Sequence, residues 1–424
     1  MKICWIKAGG LVPPDYGGRI RSFQMLRELA RRHEVTFVTY YPRDPNDRHT
    51  ELASLFARLV LVPVDIPKSR SLAGLWNYAK LLFSEHAYSI EKFYRPEVRR
   101  AVTSLLQSQP FDAVVCDFIH PAGLLDWSGA TPVVLFTHNV EAEVWDRHRK
   151  VARNWLWKLA SYLEWKALTR DERRYVSAAA AVVAVSERNK EHFARYARPS
   201  AVRAIGTGVD SGYFRPAPED EQPGQLVFTG AMDWPPNQDA VEWYARDILP
   251  LIRRDYPGAV TWIVGRNPPS SVRALERAHP DLRVTGAVDD IRPYLSRAPV
   301  YIVPMRSGGG TRLKVFEAMA SGKAIVSTAI GAEGLPVEHE KNILLAETPE
   351  EFSRECVRLL GDEGLRRRLG SEARSLVESK FTWSRAVDEL ERVIRSVVEQ
   401  SRVEQRGVEQ RHSASQAAAA PRVP

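Results

Sequence analysis

Residues 300–322 read VYIVPMRSGGGTRLKVFEAMASG and join an apolar run, a glycine-rich turn and an apolar-periodic segment in direct succession. The first four residues predict a strand buried on both faces, because they are apolar without alternation. Leu313, Phe316 and Ala320 predict the buried face of a helix that stops at the closing glycine. A strand, a glycine loop and a helix N-terminus in this order are the general design of an anion site.

Further apolar runs alternate with helical patterns and fall into two series, within residues 3–185 and 226–345. Strands that alternate with helices indicate the α/β class, with helices on both faces of a parallel sheet. Two series in 424 residues predict two Rossmann-like, doubly wound domains. Gly, Pro and Asp cluster within 206–225, so we assign residues 1–205 to the first domain and 206–380 to the second.

The last residues, 398–424, change in composition to Gln, Arg and Ser with a run of four alanines. This segment cannot bury a core of its own. We therefore predict a disordered tail, as is common for chain ends that are not tied down.

The composition, 44% hydrophobic and 26% charged, is typical of globular proteins in water. No apolar run approaches the roughly 18 residues of a membrane span, and the N-terminus lacks the features of a signal peptide. We therefore expect a cytoplasmic protein. The cysteines Cys4, Cys116 and Cys356 lie far apart and form no C-x-x-C motif, so they indicate neither a zinc knuckle nor a disulfide framework.

A formal net charge of +8 favours anionic partners. Nucleic acid is disfavoured, because the basic residues are dispersed and no known binding module appears. Residues 66–108 and 146–176 are helix-like and rich in aromatic and basic residues, including WLWK at 155–158. Such stretches either pack on the first sheet or meet lipid, since Trp beside Lys is the interfacial signature. We favour packing and keep peripheral membrane contact as the alternative.

Charges at the start of the helix argue for a bound anion. Arg312 and Lys314 occupy its first turn, where the helix dipole disfavours cations by roughly 0.3–1 kcal/mol each. Lys314 also precedes Glu317, which is the poorer order for an ion pair on a helix surface. These placements make sense if a pyrophosphate lies before the helix, near the backbone N–H groups of Gly308–Gly310, with Thr311 as the N-cap.

The segment GGGTRLKVFEAMASGKAIVST, which begins at Gly308, closely resembles the donor-site segment of family 4 glycosyltransferases of GT-B fold. Further motifs that resemble this family follow in order, namely Thr137-His138-Asn139, Val185-Ser186-Glu187, Gly206-Thr207-Gly208-Val209-Asp210, Phe228-Thr229-Gly230 and Val264-Gly265-Arg266. The resemblance implies two domains facing across a cleft, with a helix at 381–397 crossing back to the first. It also implies transfer of a sugar from a nucleoside diphosphate to an acceptor hydroxyl, with retention of anomeric configuration.

The resemblance carries site residues over position by position. The catalytic residues are expected to be His138, Arg312, Lys314 and Glu317. The donor-binding residues are expected to be Gly17, Gly18, Gly230, Arg266, Gly308, Gly309, Gly310 and Thr311. Glu317 is expected to accept hydrogen bonds from the ribose hydroxyls, and His138 to contact the donor sugar near its reacting centre. Glu141 and Asp117 are candidates for contact with the acceptor.

The sequence departs from the family pattern of a glutamate, seven residues and a second glutamate. Glu317 is the second, but Gly309 stands where the first is expected. Backbone N–H groups of Gly308–Thr311 are therefore expected to recognise the sugar. The lysine that usually follows the first strand of the second domain is also absent, since residues 232–237 read MDWPPN.

A leaving pyrophosphate gathers negative charge, which either a divalent metal or fixed cations must stabilise. No D-x-D pattern for a metal is present. We therefore predict a metal-independent reaction in which Arg312 and Lys314 stabilise that charge, with Arg266 as a further candidate. No cofactor is expected beyond the nucleotide-sugar substrate.

Other functions remain open. A nucleotide-sugar epimerase or a phosphorylase on the same fold is the enzymatic alternative. A scaffold that binds nucleotide sugar without transfer is the other, and the absent first glutamate is its main support. A nicotinamide dehydrogenase is disfavoured because the fingerprint glycines are absent. The resemblance implies a cell-surface glycan or glycolipid as acceptor.

Overall fold

The chain divides into two compact units in the computed structural model. The first unit comprises Met1–Gly206 together with Ala386–Pro424, and the second comprises Thr207–Arg385. The structure describes residues 1–14, 17–42, 47–65, 86–151, 154–308 and 312–419.

The strands of the first unit are β1 (Lys2–Ala8), β2 (Glu34–Pro42), β3 (Arg58–Val64), β4 (Ala113–Asp117), β5 (Val133–Phe136), β6 (Ala181–Ala184) and β7 (Val202–Ala204). They form a parallel sheet in the order β3-β2-β1-β4-β5-β6-β7. Strands β4, β5 and β6 are buried along their whole length, as their continuous apolar sequences require. The order reverses between β1 and β4, where Lys7 lies opposite Asp117. Ligands of such sheets bind beyond the carboxyl ends of the strands at this switch point.

The helices of the first unit are α1 (Gly17–Ala30), α2 (Tyr88–Glu91), α3 (Pro96–Ser108), α4 (Glu141–Val151), α5 (Trp155–Ala178) and α6 (Glu187–Phe193). Helix α3 illustrates how they form. It begins with a proline, whose fixed φ suits a first helical position, and it buries Val98, Val102 and Leu105 at helical spacing.

The strands of the second unit are β8 (Gln225–Thr229), β9 (Val260–Val264), β10 (Leu282–Gly286), β11 (Val300–Val303), β12 (Ala324–Ser327) and β13 (Leu344–Leu345). They form a second parallel sheet in the order β10-β9-β8-β11-β12-β13. The order reverses between β8 and β11, where Tyr301 pairs with Val227. This unit therefore has its own switch point, directly before the glycine loop.

The helices of the second unit are α7 (Pro235–Trp243), α8 (Leu249–Asp255), α9 (Ser270–Ala278), α10 (Arg292–Arg297), α11 (Leu313–Ala320), α12 (Pro349–Gly361) and α13 (Glu363–Lys380). One π-helical turn, Tyr244–Ile248, joins α7 to α8. The prediction of an α/β fold with two Rossmann-like parallel sheets is confirmed.

The C-terminal residues differ from their prediction as a disordered tail. A last helix, α14, runs over Trp383–Ala419. Leu390, Ile394 and Val398 are buried, which continues one apolar face past the predicted end of order. Beyond it, Arg402 Nη2 donates to Asp112 Oδ1 over 2.7 Å and Gln405 Nε2 to the Ala130 carbonyl over 3.0 Å. Residues 398–405 therefore belong to an ordered helix with contacts to the first unit rather than to a disordered segment, while residues 420–424 lie outside the described part.

Candidate active site

The glycine loop follows β11 at the switch point of the second unit. Gly308 has φ +112°, a conformation that favours glycine, and a Cβ there would lie 2.9 Å from the Trp234 ring and 3.0 Å from Pro236. The start of α7 therefore packs directly on the loop. The predicted donor contacts Gly309, Gly310 and Thr311 lie outside the described residues.

Arg312 joins this loop to α11, and its side chain is 2% exposed. Its Nη2 donates to the Gly308 carbonyl over 3.2 Å and to the Ile330 carbonyl over 2.8 Å. Burial lowers the pKa of the guanidinium, although the Glu333 carboxylate opposes that shift. Arg312 also occupies the N-cap position of α11, without a capping hydrogen bond from its side chain, one position later than the predicted Thr311. Its contacts hold two backbone segments together, so its predicted contact with pyrophosphate remains a prediction.

Lys314 brings a cation to the carboxyl end of β8. Its Nζ donates to Asn237 Oδ1 over 2.7 Å and lies 4.1 Å from the centroid of the Phe228 ring. A Cβ on Gly230 would lie only 3.0 Å from the same Nζ. Burial, with a further contribution from Arg312, lowers the pKa of Lys314 to about 7. The sequence lacks a lysine directly after β8, and Lys314 supplies an ammonium group at that place.

Glu317 lies one turn after Lys314 on α11 and is partly buried. Burial raises the pKa of its carboxyl to about 7, and the charge on Lys314 opposes that rise. The two side chains are neighbours on one helix face, because residues three apart lie on the same side. The site therefore contains a cation and a carboxyl that both titrate close to neutral pH.

The ends of β8 and β9 approach each other closely beside Lys314. Gly230 N donates to the Val264 carbonyl over 2.9 Å, and a Cβ on Gly265 would lie 1.7 Å from the Gly230 oxygen. Arg266 follows at the end of β9, with its Nε 4.0 Å from Asp233. Gly230 and Lys314 thus meet at the end of β8, Gly308 contacts the start of α7, and Arg266 lies at the neighbouring strand end.

The switch point of the first unit holds a buried carboxylate, Asp117, with no exposed surface. One oxygen accepts from Trp5 Nε1 over 2.9 Å, and the other from His138 Nε2 over 2.7 Å, with Lys7 Nζ at 3.6 Å. Burial alone would raise the pKa of Asp117, but Lys7, His138 and Ser22 outweigh it and hold the pKa well below its usual range. Asp117 is therefore an internal anion that orients His138, and its predicted contact with the acceptor remains a prediction.

His138 follows β5 and is 8% exposed. Because Nε2 faces the Asp117 carboxylate, the hydrogen-bond network assigns the ring proton to Nε2 and a lone pair to Nδ1. Burial lowers the pKa of His138 to about 4 against the opposing charge of Asp117, so the ring is neutral at pH 7. Its Nδ1 has no hydrogen-bond partner among the described residues and is suited to accept one from a hydroxyl group.

The other predicted residues of the first unit lie in two places. Gly17 and Gly18 begin α1, and the Gly18 carbonyl accepts a hydrogen bond from Ser22 Oγ over 3.0 Å. The same Ser22 Oγ lies 3.3 Å from His138 Nε2. Glu141 begins α4, where burial and the nearby Glu172 carboxylate raise its pKa to about 7.

Sequence reasoning missed Trp5, Lys7, Arg21 and Asn237. Arg21 is 2% exposed and donates to the Thr137 carbonyl over 2.6 Å, which fixes the backbone beside His138. Lys7, which follows the apolar run Ile3–Ile6 in β1, was the one visible signal, because buried charges are normally paired. Within the described ranges, no group of three or more His, Cys, Asp and Glu side chains is arranged to hold a metal ion.

Both halves of the chain match glycosyltransferase families. Residues 17–213 match the family described as Glycosyltransferase Family 4, and residues 223–362 match Glycosyl transferases group 1. An uncharacterized glycosyltransferase of Methanocaldococcus jannaschii is 30% identical over 27% of this chain and 30% of its own length. A D-inositol 3-phosphate glycosyltransferase of Streptomyces bingchenggensis is 27% identical over 51% of this chain and 52% of its own. The matches thus span about half or less of these curated relatives.

Solved structures share the fold over nearly the whole chain. A sucrose-phosphate synthase of Thermosynechococcus elongatus superposes with a TM-score of 0.69 at 17% identity, covering 94% of this chain and 99% of that one. Anabaena HepE, in complex with UDP and glucose, gives 0.65 at 14% identity, covering 93% and 100%. The fold is therefore that of GT-B glycosyltransferases, and the family matches support an enzyme.

Proposed function

We propose that this chain is a glycosyltransferase that moves a sugar from a nucleoside diphosphate to the hydroxyl of a glycan or glycolipid acceptor, with retention and without a metal ion. The observation that carries this proposal is the Lys314 ammonium, fixed by Asn237 at the switch point of the second unit. An ammonium at such a place is suited to a phosphate group. The UDP complex of HepE supports a nucleotide donor.

The chemistry follows from charge. As the bond between sugar and phosphate breaks, negative charge grows on the leaving nucleoside diphosphate. In this proposal Lys314 and the N-terminus of α11 stabilise that charge, and Arg312 keeps the loop in place. The Lys314 ammonium and the helix N-terminus then take the role that a metal ion has in other transferases. With Gly309 in place of a glutamate, backbone N–H groups recognise the sugar.

In the first unit, His138 is proposed to bind a hydroxyl group of the substrate. Its Nδ1 accepts a hydrogen bond from a sugar hydroxyl, and Asp117 keeps the other nitrogen protonated. A neutral acceptor suits a substrate that carries hydroxyl groups, whereas an imidazolium would offer two donors. The sequence resemblance to family 4 enzymes is the support for retention of configuration.

The acceptor and the location extend the same proposal. A structural neighbour, WaaG, is described as a glycosyltransferase involved in lipopolysaccharide biosynthesis, at 14% identity. We infer a cell-surface glycan or glycolipid acceptor, met in the cytoplasm at the inner face of the membrane. None of the described helices combines the length and apolarity needed to cross a membrane.

The test is incubation of the pure full chain with UDP-, GDP-, ADP- and TDP-sugars, with and without EDTA, while released nucleotide is measured. We expect slow hydrolysis of one donor, at the same rate with and without EDTA. Proton NMR of the early product gives the anomeric configuration. Binding without turnover, even when lipid and glycan acceptors are supplied, would identify the scaffold alternative, and interconversion of the free nucleotide sugar would identify an epimerase.

A further inference from the structure

The first two turns of α5 present large apolar side chains to solvent. Trp155 is 71% exposed, Leu156 58%, Trp157 45%, Leu159 47% and Tyr162 40%. Exposed apolar side chains on soluble proteins are normally scattered singly, whereas a contiguous group marks an interaction surface. We call these five residues, with the last turn of α4 that precedes them, the hairpin tip.

The tip is held in this position by the rest of α5. Buried residues of the helix begin only at Ser161 and continue at helical spacing to Val176. Glu164 accepts hydrogen bonds from the backbone N–H groups of Tyr88 and Ser89 over 2.9 and 2.7 Å, which anchors the helix to α2. The exposure of the first two turns is therefore a property of a fixed helix that extends past its packing partners.

Cations surround the apolar residues of the tip. Lys158 and Lys166 are exposed on α5, and Arg147 and Lys150 are exposed on the last turns of α4. Asp146 is half-buried and accepts from Lys150 over 2.6 Å. Lys and Arg beside Trp and Leu are the composition of a surface that meets anionic lipid headgroups.

The distribution of the apolar side chains around the start of α5 favours insertion into a lipid layer over docking in a protein groove. At about 100° per residue, the five apolar side chains cover roughly 220° of the helix circumference. A helix that docks in a protein groove instead shows one stripe at spacings of three and four. Apolar groups on most sides of a helix end suit its insertion, end first, among lipid headgroups.

We propose that the hairpin tip docks this protein on a bilayer that contains anionic phospholipid, with Trp155, Leu156, Trp157 and Leu159 inserted and the four cations at the phosphate level. This deepens, and rests on, the proposed location at the membrane, and it names the contact surface. It also brings the first unit to the place where a lipid-linked acceptor would be found.

The test is flotation of the full chain with vesicles of phosphatidylcholine alone or with 30% phosphatidylglycerol, at low and physiological salt. Wild type is expected to bind the anionic vesicles, and more weakly as salt rises. The double variant Trp155→Ala/Trp157→Ala should bind at least tenfold more weakly. Each of Lys158→Gln and Lys166→Gln should weaken binding about fivefold. Tyr213→Ala and Lys341→Gln, exposed positions of the second unit, are the matched controls and should bind like wild type.

Several results would overturn the proposal. One is absence of wild-type binding to anionic vesicles, and another is equal binding by wild type and the double variant. A third is a wild-type dimer in solution together with a monomeric double variant, which would show that the tip pairs two copies of the chain. Hydrolysis of nucleotide sugar without vesicles should be the same in wild type and the double variant. Vesicle binding without turnover of any nucleotide sugar would reject the transferase function alone. Turnover of a nucleotide sugar without vesicle binding would reject the docking surface alone.

Discussion

Replacing Lys314 by methionine removes the cation of the proposed phosphate site and keeps an unbranched side chain. The ammonium lies 2.7 Å from Asn237 Oδ1 and 4.1 Å from the Phe228 ring centroid, so its position is fixed. At an effective dielectric constant of about 20, a unit charge about 4 Å away interacts by about 4 kcal/mol. The leaving group develops only part of a unit charge, so about 2–3 kcal/mol should be lost, which is about 30- to 150-fold in kcat/KM.

The pH dependence gives this prediction a second readout. Because the pKa of Lys314 is lowered to about 7, its charged form is lost as pH rises above neutral. Because the pKa of Glu317 is raised to about 7, its carboxylate is lost as pH falls below neutral. Wild-type kcat/KM is therefore expected to peak near pH 7, since this ratio reports the free enzyme. Lys314→Met should lose the alkaline limb, and Glu317→Gln the acid limb.

The assay is nucleotide release over pH 5.5–8.5, with thermal unfolding to verify that each variant folds. Lys341→Met is the matched control, because Lys341 is 55% exposed and pairs with Glu338 at 3.0 Å on the surface of the same unit. It should behave as wild type. A Lys314→Met enzyme within threefold of wild type, with an unchanged pH profile, would refute the electrostatic role of this side chain.

Three further predictions concern stability and metal dependence. His138 stays neutral in the folded chain down to pH about 4, whereas in the unfolded chain it takes a proton near pH 6.5. Between pH 7.5 and 5, the unfolding free energy of wild type should therefore fall by about 2 kcal/mol more than that of His138→Gln. Equal losses of the two proteins in urea unfolding would reject this prediction. Gly308→Ala should lower the unfolding free energy by about 1–3 kcal/mol. In a double-mutant cycle, Trp234→Ala should relieve the part of this loss that comes from the clash with the Trp234 ring, but not the part that comes from the positive φ. Absence of coupling between the two substitutions would contradict the contact between Gly308 and Trp234. EDTA should leave turnover unchanged, and a collapse restored by Mg²⁺ would overturn the metal-free mechanism.

The sheets were predictable because most strands are continuous apolar runs. Strand β7, with three residues of which only Val202 is buried, lacks such a signal and was missed. The strand orders do not follow from local sequence, because they depend on pairings between distant segments. The tail was misjudged for a related reason, since a polar composition also fits the exposed face of a long helix.

The candidate site was predictable where its signal is local. Cations in the first turn of α11 predict an anion site, because they oppose the helix dipole. Asn237 was missed because it meets Lys314 from 77 residues away. The pairing of Lys7 with Asp117 depends in the same way on the register of β1 and β4. The direction of the Arg312 side chain, toward backbone carbonyls, is a matter of packing that sequence spacing does not contain.

The central claim is that Gly308 and Lys314 mark a site for the diphosphate of a nucleotide sugar. Calorimetric titration of the full chain with UDP, GDP, ADP and TDP, and with their sugars, tests it most directly. We predict saturable binding of at least one nucleotide to wild type and to Lys341→Met, and binding at least tenfold weaker to a folded Lys314→Met variant. Absence of binding by every nucleotide, or equal affinity of wild type and Lys314→Met, would contradict the claim.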